Sequence, residues 1–258
     1  MPELPLQGRA AVVTGVSRRV GIGFAIAKRL AELGADVFIQ GWRAFDADQP
    51  WGADSSGNAS LVNELRAFGR RIEALEADFS HPTTPEAVIK AAAQHFGHLD
   101  IFVANHAYSS LGSLEEMTVE EIDRHLNINV RATLLLIKHF ATQHDGRGGG
   151  RVVLLTSGQH LTPMPSELAY VASKGALHQL TLSLSAHLIK RNITVNTVNP
   201  GATDTGYADP ATYEAVRRAN PHGRWGRPED AARLIGWLCT DDAAWITGQV
   251  INSTGGGG

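Results

Sequence analysis

An α/β fold, a doubly wound parallel sheet of seven strands with helices on both faces, is predicted by three observations. Apolar strand-like runs alternate with longer helix-like segments along the whole chain, the order that a parallel sheet imposes. Glycines cluster directly after the first apolar run, where a strand would turn into a helix. With 258 residues, 43% of them hydrophobic, the chain can bury one sizeable core, and α/β folds of this length are often one domain. Residues 1–258 are therefore read as a single domain.

The strands are expected at residues 9–14, 36–40, 72–77, 99–104, 151–155, 193–198 and 248–251. A helix from about Gly21 to Leu33 follows the first strand, and Gly34 supplies its stop. Apolar residues at helical spacing predict a long helix over 119–143 and another from about Ser166 to Lys190. Residues 146–150 form a flexible turn leading into the fifth strand. The stretch 45–57, rich in Asp, Pro, Gly and Ser, reads as an extended loop within the domain.

Composition excludes several classes of function. A formal charge of −3 gives no electrostatic reason to expect nucleic acid or an anionic membrane as partner. No apolar run approaches the roughly 20 residues needed to span a bilayer, and the first residues lack the pattern of a secretory signal. The one cysteine, Cys239, rules out an internal disulfide and sits in an apolar stretch as a small core residue. Cytoplasmic is the default expectation. The 11 histidines are scattered, without the spacing of a zinc site, so no metal is expected.

Chemistry concentrates in residues 157–174, S-G-Q-H-L-T-P-M-P-S-E-L-A-Y-V-A-S-K. Tyr170 and Lys174 stand four apart, so a helix puts them on one face, one turn apart. An ammonium beside a phenol favours the phenolate, and the spacing predicts a tyrosine pKa below its free value of about 10. Such a hydroxyl trades protons near neutral pH. Ser157, at the end of the preceding strand, is placed to donate to the same substrate oxygen. Tyr and Lys at this spacing are common on helices, so the pair alone proves nothing. The glycine loop T-G-V-S-R-R-V-G-I-G adds Gly15, Gly21 and Gly23 between the first strand and helix, where backbone N–H groups can approach a pyrophosphate.

Together these residues resemble the short-chain dehydrogenase/reductase family over about residues 8–256. The family's pieces occur in order. The glycine loop is followed by Asp78 after strand three, A-N-H-A at 104–107, and Asn129 in the next helix. Ser157 comes thirteen residues before Tyr170, then Lys174, N-P-G-A-T-D-T at 199–205, G-R-W-G-R-P-E-D at 223–230 and I-T-G-Q-V-I-N at 246–252. The resemblance implies a Rossmann fold and hydride transfer between a nicotinamide and a carbon bearing oxygen. It implies that Tyr170 is the acid or base, Ser157 a hydrogen-bond donor to that oxygen, and Lys174 a partner of the tyrosine and of the nicotinamide ribose. Asn129 would hold a water of a proton relay, with Asn127 the competing candidate and a buried amide bracing a helix kink the plainer reading.

The resemblance also implies the cofactor contacts. Gly15, Ser17, Arg18, Arg19, Gly21, Ile22 and Gly23 belong to the loop, Trp42 and Arg43 to the end of strand two, and Asp78 and Phe79 to the adenine side. Asn105 and Ala107 would line the adenosine and nicotinamide wall, with His106 either beside them or filling space. Pro200, Gly201, Thr203 and Thr205 would meet the carboxamide and phosphates. NAD-specific members usually place an acid at the end of strand two. Here Q-G-W-R has no acid until Asp46, and Arg43 with Arg18 or Arg19 could pair with a 2′-phosphate, so NADP(H) is expected over NAD(H).

Three departures bear on the branch. Gly15 and Gly21 are separated by five residues rather than three, a longer loop also found in enoyl reductases, whose Tyr–Lys spacing is however longer than four. Ala107 stands where Ala-Gly is commoner, and Thr254 replaces a usual aspartate near the C-terminus. The late motifs are similar to the 3-oxoacyl-carrier-protein reductase-like branch. Arg191 falls where one carrier-docking arginine is expected, whereas Thr142 takes the place of another, so a secondary-metabolite or small-ketone reductase fits as well as a reductase with a carrier-protein partner. Residues 204–224 form the substrate loop. The apolar faces of 119–143 and 166–190 would make a homotetramer or homodimer. A non-catalytic dinucleotide-binding regulator of the same fold is the alternative, and the retained Tyr170 and Lys174 speak against it.

Overall fold

A computed structural model of the protein describes residues 4–55 and 57–257. Seven strands form one parallel sheet: β1 (Ala10–Thr14), β2 (Asp36–Gly41), β3 (Ile72–Glu76), β4 (Ile101–Ala104), β5 (Gly150–Leu155), β6 (Ile193–Asn199) and β7 (Val250–Asn252). Their order is β3-β2-β1-β4-β5-β6-β7. Side-chain alternation sends each central strand into two cores. Ala11 and Val13 of β1 join Val103, Val153 and Leu155 in one layer. Ala10 and Val12 join Phe102, Val152 and Leu154 in the other. A strand apolar on both faces has no polar positions to interrupt it, which is why these strands read as continuous apolar segments.

The first layer is covered by α1 (Ile22–Glu32), α3 (Gly57–Arg66) and α9 (Pro228–Leu238), through side chains such as Leu30, Leu61 and Ile235. The second is covered by α4 (Thr84–Phe96), α6 (Ala132–Gln143) and α7 (Leu168–Leu188), through Ile89, Leu136, Phe140 and Leu188. The chain leaves β1 for β2 on one side and reaches β4 on the other. The crossovers therefore part at the carboxyl ends of β1 and β4, where open α/β sheets hold their ligands.

Beyond shifts of one or two residues at strand ends, four segments differ from the expectation. The long helix over 119–143 is divided into α5 (Val119–His125), a π-helical stretch at Leu126–Arg131, and α6. The widened turn carries Asn129 inward, where its amide donates to the Tyr108 carbonyl at 2.9 Å and to Ser173 Oγ at 2.9 Å. α7 begins at Leu168 rather than Ser166, because Ser166 and Glu167 pair with the chain at Gly112, whose N–H donates to the Ser166 carbonyl at 2.9 Å. The 45–57 stretch opens in a short helix, α2 (Arg43–Ala47), whose Asp46 is buried and accepts from Trp51 Nε1 at 3.3 Å. Within 204–224 lies α8 (Pro210–Ala219), started by Pro210 and capped by Asp209, whose Oδ1 accepts from the N–H groups of Ala211 and Thr212.

Candidate active site

The glycine loop is locked to the end of β4 by one side chain. Gly15 has φ +71°, and a Cβ there would lie 2.8 Å from both Asn105 Nδ2 and the backbone of His106. A Cβ on Gly23 would lie 2.6 Å from the same Asn105 nitrogen. Asn105 Nδ2 fills this gap by donating to the carbonyls of Thr14 and Gly15, each at 3.0 Å. Gln40 braces the other side, accepting from the Gly15 N–H at 3.1 Å and donating to the Ala77 carbonyl at 2.7 Å. Gly21 ends the loop as the N-cap of α1 and offers no capping side chain. The first N–H groups of α1, from Ile22 on, are thus left for an acceptor outside the helix, an arrangement suited to an anion.

A cavity of about 600 Å³ opens at this edge of the sheet. Of the cofactor contacts expected from the sequence, Gly15, Ser17, Trp42, Asp78, Phe79, Asn105, His106 and Ala107 line it. Gln40, Asp46, Tyr108 and Arg124 line it as well, and nothing in the sequence pattern singles them out. Asp78 accepts from Ser80 N and Oγ at 2.8 Å each, so it also shapes the turn after β3.

The three arginines are each held by the protein's own acceptors. Arg18 donates to the Thr205 carbonyl at 2.8 Å and lies over the Trp51 ring. Arg19 is held by Glu64 at 2.8 Å, Ser60 and Asp54. Arg43 reaches the Asp54 carbonyl at 3.3 Å, and its buried Nε has no partner among the described residues. Asp54 is common to all three arginines, through its charge on Arg18, its ion pair with Arg19 and its carbonyl to Arg43. After β6, Gly201 has φ +68° and a Cβ there would press on Thr254, while Thr203 Oγ1 turns back to the carbonyls of Pro200 and Gly201. Thr205 faces Arg18 through its carbonyl.

Ser157 leaves β5, the strand beside β4, and its side chain acts on the Tyr170 phenol in the direction that favours the phenolate. Its own N–H is held by Gln159 Oε1 at 3.1 Å. Burial pushes the phenol up to about 12, against the pull of Ser157 and with the charges of Glu167 and Tyr207 adding to the rise. Lys174 is buried, and burial pushes it down to about 8. Its Nζ donates to the Leu155 carbonyl at 3.0 Å and lies 5.6 Å from the centre of the Tyr170 ring. The lowered phenol pKa expected from the Tyr–Lys spacing is therefore corrected: desolvation of the phenol outweighs an ammonium that is itself desolvated.

Asn129 and His106 are buried among hydrogen-bond partners from neighbouring elements. Asn129 Oδ1 accepts from the Tyr108 N–H at 2.7 Å, and the carbonyl of Asn129 accepts from Thr133 Oγ1 at 2.8 Å. With its amide bonded to Tyr108 and Ser173, Asn129 braces the π-helical turn. Asn127 accepts from Arg131 at 2.7 Å. His106 is buried between Thr14 Oγ1 at 2.7 Å and the Ile128 carbonyl at 3.1 Å, and its ring packs on Phe79. Burial, with the Lys174 charge, pushes it down to about 3, so it is a neutral bracket between β1 and the π-helical turn.

Comparison with known proteins agrees with this arrangement. Residues 15–257 match the family model described as "Enoyl-(Acyl carrier protein) reductase". The chain is a member of the short-chain dehydrogenase/reductase family. An uncharacterized oxidoreductase of Bacillus subtilis, YjdA, is 36% identical over 252 residues, covering 97% of each chain. Bovine dehydrogenase/reductase SDR family member 4 is 33% identical, covering 98% of this chain and 88% of its own. Among solved structures, a short-chain dehydrogenase/reductase of Serratia marcescens superposes with a TM-score of 0.87 at 32% identity, with 98% of both chains covered. A short chain dehydrogenase of Burkholderia cenocepacia in complex with NADP gives 0.87 at 36% identity, again over 98% of both. This short-chain dehydrogenase/reductase is thus an oxidoreductase of a family that uses a nicotinamide dinucleotide and acts on small molecules. Among the described residues no helix is long and apolar enough to cross a membrane, and no three His, Cys, Asp or Glu side chains group to hold a metal ion.

Proposed function

We propose that the chain is an NADPH-dependent carbonyl reductase that interconverts a ketone and a secondary alcohol, with Ser157, Tyr170 and Lys174 as its catalytic residues. The observation that carries this reading is the convergence of Ser157 and Lys174 on Tyr170, with Lys174 Nζ 5.6 Å from the ring centre, on the carboxyl edge of the sheet where the glycine loop opens. The residues fit a dinucleotide: Gly15 and Gly23 leave a cradle that a Cβ would fill, and the first turn of α1 has no side-chain cap. When bound, the dinucleotide supplies or accepts the hydride.

Tyr170, whose proton is held firmly at neutral pH, gives that proton to the carbonyl oxygen. Ser157 donates a second hydrogen bond and fixes the oxygen before transfer. Lys174 stabilises the phenolate that remains, in a setting where burial strengthens the attraction. Asn129 and His106 act as positioning residues.

NADPH is favoured because Gly41, Trp42 and Arg43 carry no acid at the end of β2, and Arg43 Nε is buried without a partner among the described residues. Two similar solved structures, the Burkholderia protein and the angucycline C-6 ketoreductase LanV, hold NADP. The LanV likeness, at 32% identity, also supports a secondary-metabolite or small ketone over a dedicated carrier-bound substrate. Exposed Leu182 and Ile189 on and after α7 support a homodimer or homotetramer. Sedimentation that finds only monomer at micromolar concentration removes that part.

The test is oxidation of NADPH and NADH against a 3-oxoacyl thioester, a diketone, a cyclic ketone and a sugar ketone, with Tyr170→Phe as control. Turnover with NADPH that vanishes in the variant supports the reading. Preference for NADH would show that Asp46 and Asp48, which line the cavity, govern the ribose site. Tight cofactor binding with no turnover of any carbonyl would favour a non-catalytic dinucleotide-binding regulator.

A further inference from the structure

Two departures of the sequence, the longer glycine loop and the irregular 45–57 stretch, meet at one side chain. The loop closes as a turn in which the Gly21 N–H donates to the Arg18 carbonyl at 3.0 Å. Arg18, half-buried, reaches from this turn across the cleft, and its Nη2 donates to the Thr205 carbonyl at 2.8 Å. Trp51 of the 45–57 stretch supports the guanidinium, whose carbon stands 5.6 Å from the ring centre. Trp51 is itself fixed by donating Nε1 to the buried Asp46 at 3.3 Å. The charges of Asp46 and Asp54 both act on Arg18. A planar guanidinium seated on an indole and drawn by two carboxylates loses little further freedom in making one more bond.

The segment that receives this bond has little else to hold it to the glycine-loop wall. Among the described residues, the other hydrogen bonds of 204–224 run within the segment, to the adjoining 225–230 or, from Asn220 Nδ2 at 3.3 Å, to the Thr254 carbonyl. Its helix, α8, buries no residue. Its aromatic packing is local: the Trp225 ring centre lies 5.4 Å from that of Tyr213 and 5.9 Å from that of Tyr207. The bond from Arg18 instead joins residues 187 positions apart and is partly buried. Being charge-assisted, it is stronger than a neutral one. Thr205 is followed by Gly206, at φ +75°, and then by Tyr207, whose charge is felt by the reacting phenol of Tyr170. Holding Thr205 therefore holds the start of the segment beside the reacting group.

We propose that Arg18, seated on Trp51, is a positioning residue that ties the substrate segment 204–224 to the glycine loop, so that affinity for the carbonyl substrate is set in part from the dinucleotide side of the cleft. The kinetic part of this inference rests on the carbonyl-reductase reading above. It gives Arg18 a task other than the ribose phosphate, and it makes the 45–57 stretch the platform from which that task is performed.

Hydrogen exchange followed by mass spectrometry, on the full chain without dinucleotide, reads the tie directly. Arg18→Met should speed exchange in peptides from 204–224 by about tenfold and leave peptides from α4 unchanged. Arg18→Lys should restore part of the protection, because its ammonium still donates to the carbonyl, and Trp51→Leu should give a smaller rise than Arg18→Met. With NADPH saturating and the fastest ketone of the panel above, Arg18→Met should raise the ketone KM by about tenfold while kcat changes less. Unchanged exchange in 204–224, a rise shared equally by α4, or an unchanged ketone KM in an active protein overturns the proposal. A fall in NADPH affinity alone, with exchange and ketone KM both unchanged, overturns it in favour of a cofactor-phosphate role for Arg18. Faster exchange confined to 204–224, with no ketone turned over by wild type or variant, sustains the tie and overturns the reductase reading alone.

Discussion

The cleft wall built from β1 and β4 and the wall built from the segment after β6 are tied down in opposite ways. In the first, Gly15, Gly23, Thr14, Gln40 and Asn105 interlock through buried backbone and side-chain bonds, with no room for a methyl group at either glycine. In the second, α8 has no buried residue and hangs from few anchors. Trp225 stacks on Tyr213 with ring centres 5.4 Å apart and donates to its carbonyl at 2.7 Å. Arg18 spans the two walls through its bond to the Thr205 carbonyl. The wall that faces a constant partner is over-determined, whereas the wall that meets a variable one is loosely packed and free to change.

Four substitutions would break or sharpen this contrast, and they are ordered by expected effect. Tyr170→Phe should lower turnover by roughly a hundred- to ten-thousandfold while dinucleotide binding, followed by fluorescence titration, persists. Gly23→Ala, which forces a methyl group onto Asn105 and the Gly15 carbonyl, should destabilise the protein by about 1–3 kcal/mol in urea unfolding and weaken the dinucleotide. Equal stability to the wild type would show that the first wall is looser than its geometry.

His106 tests the same wall by pH. Its folded-state pKa of about 3 lies below the ordinary value of 6.5. Between those values the unfolded chain binds the extra proton, so stability is lost as pH falls from about 6.5 towards 3. His106→Asn should flatten that slope in denaturation curves taken across the window. An unchanged slope would assign the acid sensitivity to other groups. The smallest effect is expected on the second wall. Glu214→Ala removes exposed ion pairs to Arg217 and Arg218 on α8 and should leave the melting temperature unchanged, because exposed pairs contribute little.

Much of the fold is legible in the order of residues along the chain. The central strands announce themselves as apolar runs because both their faces are buried, and the seven-stranded parallel sheet follows the predicted class. α8 escapes such a reading because none of its residues is buried, although Asp209-Pro210 is a helix-start signal present in the sequence. The π-helical turn escapes for a different reason. Its cause is the bonding of Asn129 to Tyr108 and Ser173, which stand 21 and 44 positions away.

The same division runs through the site. The sequence by itself determined the glycine loop, the order of the motifs, and the Ser157, Tyr170 and Lys174 spacing, because strand and helix periods place neighbours along the chain. Only the tertiary structure decided what surrounds them. It raised the phenol rather than lowering it, tied Arg18 to the Thr205 carbonyl, and gathered Arg19 and Arg43 on Asp54. Desolvation and long-range charge are sums over residues that the fold brings together, and no local pattern carries them.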